Sequence, residues 1–138
     1  MRLPWRRRRD EPAPAYADDG SLPVLGGSDD PARSDSSVLA ELAERGVDVT
    51  VPLLVRHHLV LPTREAAEEA GAVVAEEGYA LAGRPVDGTW RVRASRVEVP
   101  SGLVLSRERS RMAGLAQRLG GDVAGWDVCG PGGAGPRS

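Results

Sequence analysis

The sequence contains no lysine and no phenylalanine, and it has a single cysteine among 138 residues. All eighteen basic residues are arginine, a bias that points to GC-rich coding more than to a site. Cys129 has no second thiol in the chain to pair with, so the cysteine usage does not call for an oxidising compartment. Aromatic residues make up only 4 % of the chain. No run approaches the ~18 apolar residues that a membrane span needs. The basic run Arg6–Arg9 is followed by DEPAPAYADDG, where a signal peptide requires an apolar segment. The expected location is the cytoplasm, with no membrane partner.

What apolar content there is, 41 % of the chain, is unevenly placed. Residues 1–35 and 130–138 are mostly Arg, Asp, Ser, Gly and Pro, with no period of 2 or 3.6. Such segments cannot offset their ordering entropy by burial, so two disordered tails are expected around a domain at 36–129. The net charge is −2, and over residues 53–129 ten Arg face ten acids. No strong field points to nucleic acid.

Within 36–129 the periodicity changes in a regular order. SSVLAELAERG (36–46) reads as a short amphipathic helix capped by Ser36 or Ser37 and stopped by Gly46. VPLLVRHHLVLP (51–62) alternates, with Val55, His57, Leu59 and Leu61 on one side and Arg56, His58 and Val60 on the other. TREAAEEAGAVVAEEGY (63–79) is a helix with Thr63 as N-cap, a small Ala/Val stripe and Gly78 at its end. YALAGRPVDGTWRVRASRVEV (79–99) is a hairpin through Asp87-Gly88, with Pro85 marking an edge strand. PSGLVLSRERSRMAGLAQRLGG (100–121) is another helix, starting at Ser101 or Ser106, and DVAGWDVC (122–129) is a final strand bulged at Gly125. From residue 53 onward the order is βαββαβ. The expected fold is therefore α+β and ferredoxin-like: a four-stranded antiparallel sheet with two helices on one face, preceded by a short extra helix.

The motifs of enzymes are missing: there is no GxSxG, no P-loop, no GxGxxG and no CxxC pair. His57 and His58 are adjacent on a strand and face opposite sides, so they cannot share one metal ion. No catalytic residue, metal or cofactor is expected. Glu65, Glu68, Glu69, Glu76 and Glu77 fall opposite the Ala/Val stripe and read as a solvated helix face. The sheet side away from the helices is more informative. It should carry Arg56, His58, Arg91 and Arg93, with Arg84 at its edge. RNA-recognition sheets stack bases on aromatic residues, and RVRASRVEV offers none there. Trp126, in DVAGWDVC, has two open readings: a ring sealing the core, or a partner-facing anchor beside Asp127.

Four local patterns together resemble the regulator of ribonuclease E activity B (RraB) family: VRHHLVLPTREAAEEA (55–70), EEGY (76–79), DGTWRVRAS (87–95) and LAQRLGGDVAGWD (115–127). The family's first strand usually carries aromatic residues where this chain has His58, Val60 and Leu61. The resemblance implies a ferredoxin-like, non-catalytic protein that binds and modulates an RNA-degrading enzyme by protein–protein contact. Its implied partner is a ribonuclease E/G-type enzyme or its complex. The candidate partner-binding residues are Arg56, His58, Arg91, Arg93, Trp126 and Asp127. The alternative reading is a domain that binds RNA or another anion directly through the Arg-rich face.

Overall fold

A computed structural model of the protein describes Asp18, residues 21–30 and residues 32–131. The elements run β1 (Val24–Ser28), α1 (Asp35–Glu44), β2 (Leu53–Leu61), α2 (Arg64–Ala75), β3 (Ala80–Val86), β4 (Thr89–Glu98), α3 (Gly102–Arg118) and β5 (Asp122–Cys129). Residues 1–17 and 132–138, read above as tail, lie outside the described residues.

All strand pairs are antiparallel, in the order β1-β5-β2-β4-β3. The last four of these are the strands of the expected βαββαβ unit. β1 is the addition. It lies inside the segment read as disordered and pairs along the outer edge of β5, from Val24↔Cys129 to Ser28↔Trp126. The domain boundary expected at residue 36 is thus too late. The sheet has five strands, and Leu25, on β1, is buried in the core.

Local chemistry accounts for the element ends. The Thr63 hydroxyl accepts from Ala66 N at 3.0 Å, and that of Ser101 from Val104 N at 3.1 Å. For α1 the cap is Ser34, which accepts from Ser37 N, and neither Ser36 nor Ser37 takes that role. Between β3 and β4, Asp87 and Gly88 sit at φ +51° and +81°. These left-handed values at both central positions match the type I′ turn expected from Asp-Gly.

The helices cover one side of the sheet. Leu59, Leu61, Val92 and Ala94 meet Ala67, Ala70 and Val74 of α2 and Met112, Leu115 and Ala116 of α3. The alanines let α2 lie close to the strands, as the stripe of small residues predicts. A second cluster joins Val38, Leu39 and Leu42 of α1 to Leu25, Val55, Leu105, Trp126 and Val128. Leu25 comes from β1, Val55 from β2, Trp126 and Val128 from β5, and Leu105 from α3. The extra helix therefore has a purpose: it roofs the part of the sheet that β1 extends. Each of α1, α2 and α3 buries one stripe against the same face.

Candidate protein-binding face

On the side away from the helices, β2 presents Arg56 and His58, β5 presents Asp127, β4 presents Arg91 and Arg93, and β3 presents Arg84. The register sets Arg56 directly opposite Asp127 and His58 opposite Arg93. Opposite charges facing each other across an antiparallel pair attract. The Arg56 guanidinium forks onto the Asp127 carboxylate, Nε to Oδ1 at 2.6 Å and Nη2 to Oδ2 at 3.0 Å. His58 Nε2 is 2.9 Å from the same Oδ2. Burial alone would raise the Asp127 carboxyl, but hydrogen bonds from His58 and Arg56 outweigh it and hold it below the usual carboxylate range. The same fork raises Arg56 against the opposing effect of burial.

Three of the predicted site residues, Arg56, His58 and Asp127, are therefore engaged with one another. A fourth is also engaged. The Asp18 carboxylate lies between Arg93 Nε at 2.6 Å and Arg56 Nη1 at 3.5 Å, and its side chain is only 8 % exposed. The face expected to be open is covered at this end: Leu54, Ser95 and Cys129, which point to it, are all buried. Burial pushes the Cys129 thiol up to about 11, as fits a passive thiol.

The other end is bare. Arg84 and Arg91 stand directly opposite each other on β3 and β4, both exposed. Among the described residues no acid pairs with either. They border a shallow depression of about 390 Å³ with His58, Ala82 and Arg93. The described aromatic rings lie elsewhere. Tyr79 and Trp126 are buried, and Trp90 packs against the core.

Trp126 answers to the core. It is 3 % exposed, within the cluster under α1, so its partner-facing reading is corrected. The reason lies in the β5 bulge. His58 pairs with Gly125, whereas Leu59 pairs with Val123. The extra residue shifts the alternation and turns Trp126 inward beside Val128. Gly125, at φ +124°, also lies against β1, where a Cβ would meet Ser28 O at 2.6 Å.

Sequence reasoning missed a buried polar network on the helix side. His57, 2 % exposed, meets Glu108 Oε1 of α3 through Nε2 at 3.0 Å. Arg96 donates to Glu108 Oε2 at 2.7 Å and to Glu98 Oε1 at 3.0 Å, and its guanidinium lies 4.1 Å above the Tyr79 ring centre. Burial, and then the neighbouring Glu108, push the Glu98 carboxyl up to about 8. Burial works the same way on Glu108, but hydrogen bonds with His57, Glu98 and Arg96 bring it down. The signal was available: Glu108 falls in step with Leu105, Met112 and Leu115, on the apolar stripe of its helix. Glu65, Glu68, Glu69, Glu76 and Glu77, by contrast, are exposed as expected.

Residues 32–128 match the family described as Regulator of ribonuclease activity B. The chain belongs to this family. The match runs from just before α1 nearly to the end of β5, so it takes in the whole βαββαβ unit and the α1 roof. β1 and Asp18 lie before it. No curated protein matches the chain. The family is a regulatory one, defined by an effect on ribonuclease activity. No described helix is long and apolar enough to cross a membrane.

Proposed function

We propose that this protein is a non-catalytic regulator that binds an RNA-degrading enzyme of the ribonuclease E/G type, or a complex containing it. It works in the cytoplasm and changes the enzyme's activity by protein–protein contact through the side of the sheet that bears Arg84, Arg91 and Arg93. Family membership over residues 32–128 carries this reading. The side chains agree with it. His57, Glu108, Arg96 and Glu98 are tied to one another, in the pattern of a structural network more than of a reaction centre. Affinity capture from the native host followed by mass spectrometry tests it. Recovery of a ribonuclease supports the proposal, and its absence under native salt counts against it.

One observation favours a second reading. Arg84 and Arg91 are exposed on the sheet with no acid paired to either among the described residues, as on an RNA-binding surface. Single-strand binders add stacking platforms to such charge, and the described rings of this protein turn toward the helices. RNA captured without protein would favour this second reading.

A further inference from the structure

We infer that the open face takes an extended acidic protein segment, and that Asp18 holds the place of one of its carboxylates in the free protein. This rests on the protein-binding reading above and names the chemistry of the partner. Arg56 is held rigid by Asp127 through Nε and Nη2, which leaves Nη1 turned to a second carboxylate. Arg93 supplies the other half of that seat, and the chain's own Asp18 occupies it. A carboxylate, that of Asp18, already fits between these two guanidinium groups. Asp18 itself belongs to no helix or strand.

At the neighbouring seat no described acid stands. Arg84 and Arg91 are like charges directly opposite each other on paired strands, an arrangement that is unfavourable until an anion arrives. Arg91 and Arg93 are two residues apart on β4, which spaces them by roughly 6.6 Å. Side chains on one side of an extended peptide repeat at the same interval. A segment with acids at alternate positions would therefore place one carboxylate at Arg91 and Arg84 while the next displaces Asp18 from Arg93. The guanidinium fork suits a carboxylate at each step.

The test uses the full chain and a fluorescently labelled peptide of alternating Glu and Ala, with binding followed by anisotropy. An unlabelled oligouridine serves as competitor. Asp18→Asn removes the internal carboxylate charge with little change of shape. It should tighten peptide binding roughly two- to fivefold, the scale of one competing surface ion pair. Arg84→Ala/Arg91→Ala should reduce binding to background while thermal unfolding stays cooperative. Oligouridine should compete no better than the peptide itself. Unchanged or weaker binding in the Asp18→Asn variant would overturn the inference. So would oligouridine that binds more tightly than the peptide and is lost in the arginine variant. The underlying reading fails separately. Peptide binding as described, with no ribonuclease captured, keeps the face and loses the ribonuclease. A ribonuclease captured equally by wild type and the arginine variant does the reverse.

Discussion

The indole of Trp126 fills the space between α1 and the sheet, and its Nε1 has no acceptor among the described residues. Its ring is therefore held by packing alone. Trp126→Ala should lower stability by about 3–5 kcal/mol in urea unfolding. Trp126→Phe, which keeps a ring and removes the unmet donor, should lose less. Equal stability of the alanine variant would return Trp126 to the surface. The Glu98–Glu108 pair makes a second prediction at this scale. Glu98 keeps its proton in the folded protein up to about pH 8, whereas the unfolded chain releases it in the ordinary carboxylate range. Between those limits the folded state binds more protons, so this group's contribution is full at low pH and is lost as pH rises toward 8. Glu98→Gln imitates the protonated acid. The difference in melting temperature between variant and wild type should widen in the variant's favour from pH 5 to 8, and parallel profiles would contradict a Glu98 carboxyl raised by burial.

At the level of elements, legibility followed periodicity. β2 was readable because five alternate residues, Leu53 to Leu61, are apolar or buried and Pro62 ends the run. The hairpin was readable because Asp-Gly suits a turn that most residues enter only under strain. Nothing touches a Cβ added at Gly88, so Gly88→Val tests the backbone alone: at φ +81° a β-branched side chain should cost more than about 1 kcal/mol. An unshifted melt would remove the strain from this account. β1 was not readable. VLGGS has two glycines and a single buried apolar side chain, so it shows no period of its own and is a strand only because β5 offers an edge. Leu25→Ala should nevertheless lower stability by about 2 kcal/mol in thermal or urea unfolding. A loose tail at this position would give no shift.

Taken whole, the sheet side away from the helices splits into an end whose charges pair internally, around Asp127 and Asp18, and an end where Arg84 and Arg91 are exposed. The Arg face was legible as a set of residues, since alternation alone puts Arg56, His58, Arg91 and Arg93 on one side. Its electrostatics were not. Arg56 and Asp127 are 71 residues apart, and only the β2–β5 register brings them together. Asp18 sits in a stretch with no pattern to mark it. What survives for a partner is the Arg84–Arg91 end of the sheet, where Arg93 is held by a carboxylate of the chain itself. The proposed regulation of an RNA-degrading enzyme runs through contact at this end. The most direct measurement titrates the full chain into the purified ribonuclease E/G-type enzyme of its host, following enzyme binding and cleavage of a labelled RNA in the same samples. The account predicts a saturable change in cleavage rate whose midpoint coincides with binding and moves to higher concentration in the Arg84→Ala/Arg91→Ala variant. Cleavage that stays constant while the enzyme is saturated, or a rate change that tracks binding of the chain to the RNA instead, would contradict it.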